Sequence, residues 1–294
     1  MAYLKFKKPP EPGARQVPGL CLLLVLAFFS TSSLAAAGSC KNYRHLNFGV
    51  LPFISNEQLV RQFSPLMDYL GRQLAVPVRL VTAPDFSSFA RRTAQGGQYD
   101  ILFTAPHLFP LAMDRAGYRL IASVDSPGLW AVIVAPKGSN IKTLADLKGK
   151  RLATVQKASL ATLLVKKHLE AAGIDPENEL TLVPTPSHDA SLLSSYHGVT
   201  DASSLMQTQY AAASEQVRQN MRLIARTEKT PHIPISVSPR LDRACADEIA
   251  GILLGINTTE AGRQALRNNR FSGFRKAETR EYDAMRELFD SKTR

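Results

Sequence analysis

The chain has 294 residues, 45% of them hydrophobic, and 36 Lys+Arg against 25 Asp+Glu give a formal net charge of +11. Even without an amino-terminal export segment, that length exceeds one hydrophobic core of ordinary size and suits two lobes. The basic surplus suits an anionic ligand or an anionic membrane face, but it is spread along the chain without a run of five or more like charges, which argues against nucleic-acid binding.

Lys5, Lys7, Lys8 and Arg15 precede an apolar run at 20–29, followed by small residues up to Ser39. The run falls short of the roughly 20 residues a bilayer-spanning helix needs. Residues 1–39 therefore read as a signal peptide for export to the periplasm. Ala35-Ala36-Ala37 has the small-x-small pattern of ordinary signal peptidase, whereas Ala37-Gly38-Ser39-Cys40 is an imperfect lipoprotein box that would anchor Cys40 to lipid. An uncleaved anchor is a third reading. Of the three cysteines, Cys21 lies in the signal. Cys40 and Cys245 either pair in an oxidising compartment or leave Cys245 as a buried thiol beside Ile249 and Leu253.

Beyond the signal, short apolar runs alternate with helical patterns, which predicts an α/β fold of βα units around mostly parallel sheets. Strands are predicted at 46–51, 78–82, 101–104 and 120–124. Leu59, Phe63, Leu66, Met67, Leu70 and Leu74 recur at helical spacing after the first strand, and further helices are predicted at 86–94 and 108–116. A second lobe opens at 130–135, almost wholly apolar, as a strand buried on both faces would be. It continues through a turn at 144–147, strands at 151–155, 180–183 and 199–203, and helices at 159–172 and 187–196 capped by Ser159 and Ser187. After 221–225, Pro231-His232-Ile233-Pro234-Ile235 reads as an extended return crossing, and helices at 242–254, 259–268 and 279–289 pack on the first lobe. Lobe 1 is thus assigned to 40–129 with 231–294, and lobe 2 to 130–230.

A recurring feature carries the chemistry: a strand ends, and a small or hydroxyl-bearing residue opens the next helix. It occurs at Ser55-Asn56, Thr104-Ala105-Pro106-His107, Lys157-Ala158-Ser159 and Ser187-His188. Ligands of open α/β sheets bind outside the carboxyl ends of the strands, where helix starts offer unpaired N–H groups and the positive end of the dipole. Several starts aimed at one cleft would solvate an anion, although each alone reads equally well as a routine cap. His107 and His188 stand at such starts and either hold a ligand oxygen or cap their own helices. His45, His168, His197 and His232 have no comparable placement and read as surface or packing residues. Asp201 either accepts from a protonated ligand oxygen, orients His188, or caps the next helix. Phe53 suits an apolar cleft wall, and Trp130 suits core or hinge packing. The candidate ligand set is therefore Phe53, Thr104, Ala105, His107, Ala158, Ser159, His188 and Asp201, with backbone amides at 104–107 and 158–160.

Phe48-Gly49-Val50-Leu51-Pro52, the run Tyr99 through Thr104-Ala105-Pro106-His107, Leu144-Ala145-Asp146-Leu147-Lys148-Gly149-Lys150 and Ser187-His188-Asp189-Ala190 resemble segments of a known family. It is the phosphate/phosphite/phosphonate family of ABC-transporter solute-binding proteins. The resemblance implies a type II periplasmic-binding fold, two α/β lobes joined by two crossing strands, and closure on a small oxyanion. Phosphonate binders of the family usually open the second-lobe helix with Ser-Thr-Ser-Gly, whereas this chain has Ser159-Leu160-Ala161-Thr162. Apolar groups in place of hydroxyls leave the pocket poorer in donors and keep a more apolar anion, or a carboxylate, open as the ligand.

The resulting expectation is a periplasmic, monomeric binding protein without catalysis or cofactor, serving an ABC permease. Three rivals stand beside it. The same fold could report its bound state to a membrane sensor kinase. His107, His188 and Asp201 could capture a metal. A hydrolase is disfavoured because the chain has neither a Gly-x-Ser-x-Gly elbow nor a His-Glu-x-x-His pair.

Overall fold

The computed structural model describes residues 38–290; the predicted export signal, up to Ala37, lies outside the described residues. The first elements are β1 (Leu46–Val50), α1 (Asn56–Leu74), β2 (Val78–Val81), α2 (Phe86–Gln95), β3 (Ile101–Phe103), a 3-10 turn at Pro106–Leu108, α3 (Phe109–Ala116) and β4 (Arg119–Val124). Then come β5 (Ala131–Pro136), β6 (Arg151–Thr154), α4 (Leu160–Ala171), β7 (Thr181–Pro184), α5 (His188–Tyr196), β8 (Ala202–Met206), α6 (Gln207–Ala212), α7 (Glu215–Asn220) and β9 (Met221–Arg226). The chain continues through β10 (Pro234–Val237), α8 (Arg243–Leu254), α9 (Glu260–Arg267), β11 (Phe274–Arg275), a 3-10 segment at Thr279–Met285 and α10 (Arg286–Asp290).

Local chemistry accounts for most helix starts. Ser55 caps α1 in a reciprocal box with Gln58, and Leu59, Phe63, Leu66, Met67, Leu70 and Leu74 are buried along its inner face. Ser159 and Ser187 cap α4 and α5 by accepting from the amides of Thr162 and Ala190. The strand predicted at 199–203 instead runs from Ala202 to Met206. Val199 is 62% exposed, while Ser203 and Ser204 are fully buried. Their hydroxyls are satisfied, Ser203 by Ser195 Oγ at 2.6 Å and Ser204 by the Ala153 carbonyl at 3.1 Å, so these serines behave as interior residues. The short α6 and α7 bury no residue fully, so they carry little apolar periodicity to predict them by.

Two sheets result, one of order β11-β4-β10-β3-β1-β2 and one of order β7-β6-β8-β5-β9. The sheets are mixed, which corrects the mostly parallel expectation: β10 runs antiparallel to β3 and β4, and β5 antiparallel to β8 and β9. β11 also runs antiparallel, to β4, at the sheet edge, whereas β5 and β10 share one cause. β5 and β10 are the strands that follow each passage between sheets, and a chain entering at the carboxyl ends of parallel strands must run back against them.

The two passages touch. Leu129 and Thr230 form an antiparallel bridge, with Leu129 N to Thr230 O at 3.0 Å and Thr230 N to Leu129 O at 2.7 Å. Gly128 makes that approach feasible: its φ is +109°, and a Cβ there would lie 2.5 Å from the Thr230 carbonyl oxygen. Gln207 fastens the passage from the side, accepting from Trp130 N at 3.0 Å and donating to Gly128 O at 3.2 Å. Lys229 lies 5.3 Å from the Trp130 ring centroid, so Trp130 belongs to the hinge.

One buried apolar cluster, including Phe86, Phe109, Leu160, Leu164 and Tyr282, runs from one lobe into the other. A second fills the α1 and α8 side of the larger sheet. Cys40 and Cys245 are joined by a disulfide, their Cα atoms 4.7 Å apart, which pins the start of the described chain to α8. No helix among the described residues is long and apolar enough to cross a membrane.

Candidate functional site

The carboxyl ends of parallel strands from both sheets face one cleft of about 650 Å³. Leu51 and Phe53 follow β1, Phe86 opens α2 after β2, Thr104 and Ala105 follow β3, and Asp125 follows β4. From the second sheet come Leu160 and Ala161 after β6, His188 and Asp189 after β7, and Met206 and Thr208 at the end of β8. This is where an α/β sheet ordinarily presents its ligand site.

Three polar side chains in this cleft are almost fully enclosed. Thr104 is 1% exposed, and its Oγ1 has no hydrogen-bond partner. A buried, unpartnered hydroxyl is costly, and beside a cleft it marks a place prepared for another polar group. His188 and His232 are each 4% exposed. Nδ1 of His188 accepts from Met206 N at 3.4 Å, and Nδ1 of His232 accepts from Ile233 N at 2.8 Å. Both neutral rings therefore carry their proton on Nε2, which makes that atom a donor. Burial pulls the pKa of each down to about 4, so neither is a cation at neutral pH.

Helix starts add amides. In α4 the Ser159 side chain takes Thr162 N and the Ser159 carbonyl takes Leu163 N, which leaves the Leu160 and Ala161 amides at the cleft-lining first turn.

Of the residues predicted to bind, Phe53, Thr104, Ala105 and His188 line this cleft, and the other four do not. His107 is fully buried and bonds across the lobes, Nε2 to the Ala158 carbonyl at 3.0 Å. That bond occupies both residues in holding the lobes together. Ser159 is fully buried, its hydroxyl spent on Thr162. Asp201 is misplaced outright: it precedes β8 and binds Arg151 at the start of β6, Oδ2 to N at 2.7 Å. Both positions are at the amino ends of parallel strands, opposite the cleft, because β8 begins later than predicted. His107, His188 and Asp201 thus form no common metal site, and no metal-ligating cluster occurs among the described residues.

The structure adds residues that sequence reasoning missed. His232, a surface or packing residue by sequence, lines the cleft from its place between Pro231 and Ile233 in the return crossing. Phe271 comes from the loop after α9, which carried no sequence signal. Its placement has a cause in α1. Pro65 inside that helix lacks the amide that would bond Arg61 O, and Asn268 Nδ2 takes that carbonyl at 3.0 Å. Asn269 Nδ2 takes the adjoining Gln62 carbonyl at 3.0 Å. The paired asparagines moor the loop so that Phe271 stacks on Phe103, centroids 5.9 Å apart, and meets His232 edge-on at 6.5 Å.

Residues 48–282 match the family model described as the phosphonate periplasmic substrate-binding protein of an ABC transporter. The phosphonates-binding periplasmic protein of Escherichia coli (strain K12) is 29% identical over 134 residues, covering 44% of this chain and 39% of that relative's length. Among solved structures, PhnD1 from Prochlorococcus marinus (MIT 9301) in complex with methylphosphonate superposes with a TM-score of 0.77 at 20% identity, covering 84% of this chain and 98% of that one. A binding protein component of an ABC phosphonate transporter from Pseudomonas aeruginosa gives 0.75 at 18% identity, covering 83% and 84%. These likenesses show the two-lobed type II periplasmic-binding fold.

Proposed function

This chain belongs to the phosphonate family of ABC-transporter periplasmic substrate-binding proteins, and from that premise we propose that it captures a small oxyanion between its lobes and presents it to a membrane permease. Members of such a family bind and release a solute unchanged; they are not enzymes. Their place is the periplasm.

One observation carries the ligand reading: the buried Thr104 hydroxyl, without a partner, at the cleft-facing end of β3. Thr104 and Ala105 would meet the oxyanion from the first lobe, and His188 with the first amides of α4 from the second, while Phe53 closes one wall. Contacts made from both sides favour the closed arrangement. Sheet membership supports a first lobe of 40–129 with 231–294 and a second of 130–230. The sulfur of Cys40 is engaged with Cys245, which supports cleavage by ordinary signal peptidase over a lipid anchor at Cys40.

Calorimetric titration with methylphosphonate, phosphite, phosphate and sulfate tests the proposal. Saturable heat from at least one of them is expected, and Thr104→Val should weaken it about tenfold, the loss of one buried hydrogen bond. Silence from every oxyanion would refute it.

A further inference from the structure

The charge and shape of the cleft narrow the ligand class. Among the described residues that line it, Arg270 is the one full cation, against the carboxylates of Asp125 and Asp189. The deep donors are uncharged: Thr104 Oγ1, Nε2–H of His188 and of His232, and the backbone amides at the start of α4. Neutral donors solvate one delocalised negative charge well. A second charge in the same space would have Arg270 alone to balance it, against the carboxylates of Asp125 and Asp189.

Much of the remaining wall is apolar, beside uncharged polar groups such as Gln58, Gln62 and Gln209. Phe53, Ile54, Leu160, Met206, Ile233 and Phe271 line it from both lobes, and the cleft of about 650 Å³ is far larger than a bare oxyanion requires. Phe271 joins the two regions, because its ring touches the His232 ring that supplies a donor.

We propose that the cleft selects a singly charged organic oxyanion carrying an apolar substituent, such as an alkyl or aryl sulfonate or phosphonate monoanion, over inorganic and doubly charged oxyanions. The proposal rests on the oxyanion-binding reading above and specifies its ligand.

The test compares methyl- with butylphosphonate and methane- with butanesulfonate, alongside phosphate, by calorimetry on the mature protein at pH 6 and pH 8.5. Affinity should rise about threefold to fourfold for each added methylene buried. Butylphosphonate should weaken at the higher pH, where it becomes a dianion, while butanesulfonate, a monoanion throughout, should hold steady. Phe271→Ala, checked for folding by thermal melting, should flatten the chain-length trend. Equal or tighter binding of methylphosphonate or phosphate, or tighter binding of the dianion, would overturn the specificity proposal and leave the oxyanion reading standing. No heat from any of these anions would remove both.

Discussion

His107 of the first lobe, itself fully buried, donates its Nε2–H to the Ala158 carbonyl of the second at 3.0 Å. The partner is a carbonyl, so the proton must sit on Nε2, and Nδ1 is left as a buried acceptor without a partner. The bond lies directly before Ser159, the cap of α4, and so ties the cleft-lining turn of one lobe to the other lobe. His107→Phe keeps a ring of similar size but strands the Ala158 carbonyl. We expect a loss of about 1–3 kcal/mol in thermal or denaturant unfolding, together with weaker ligand binding. Unchanged stability would show that the contact contributes nothing.

Burial pulls the pKa of His107, His188 and His232 down to about 4 in the folded protein, with a smaller contribution at His232 from nearby Arg275. In the unfolded chain each titrates near 6.5, so between those values the unfolded state binds more protons. Stability is therefore fully present above pH 6.5 and lost as pH falls toward 4, by up to about 1.4 kcal/mol per pH unit for each ring. Melting temperature measured from pH 8 to pH 4.5 should be level at first and then decline. Replacing His107 by Phe should make the decline shallower, and an unaltered slope would refute its burial as a neutral ring.

The disulfide closes a loop between positions 205 apart in the sequence, Cys40 and Cys245. Such a cross-link restricts the unfolded chain and is expected to contribute about 2–5 kcal/mol. The double substitution Cys40→Ser with Cys245→Ser should lower the denaturant midpoint accordingly, while ligand affinity, measured at a temperature where the variant is folded, stays within twofold because the bond is remote from the cleft. A midpoint equal to the parent's would contradict the expected contribution.

Gly128 holds a φ of +109° against the Thr230 carbonyl. Gly128→Ala adds a methyl where 2.5 Å separates it from that oxygen, so the Leu129–Thr230 bridge must shift. A destabilisation of about 1–3 kcal/mol is expected, with altered closure visible as a changed radius of gyration on adding ligand. Identical scattering curves for variant and parent, with and without ligand, would argue against a hinge role.

Asp201→Asn serves as the contrast. Its pair with Arg151 is half-open to solvent and lies at the far end of the strands, so stability should drop by no more than about 1 kcal/mol. Ligand affinity should not change; a tenfold loss would restore Asp201 to the site.

Much of this protein was legible from local pattern alone. Helix periodicity in α1, the serine caps of α1, α4 and α5, and the βα alternation depend on residues within a few positions of each other, and all appear as read. Thr104 and His188 could be placed for the same reason, since Thr104 directly follows β3 and His188 opens the helix after β7, at strand ends that the cleft must meet. Tertiary structure decided the rest. Whether His107 faces the ligand or Ala158 depends on how the lobes dock, and no nearby residue encodes that. Buried serines in β8 shifted its register and carried Asp201 to the wrong end, because hydrogen bonds to Ala153 and Ser195 make those polar residues interior ones. Phe271 reaches the cleft only because Pro65, more than two hundred positions earlier, frees a carbonyl for Asn268. Periodicity reports what one element buries, whereas a site drawn from two lobes depends on contacts between elements distant in the chain.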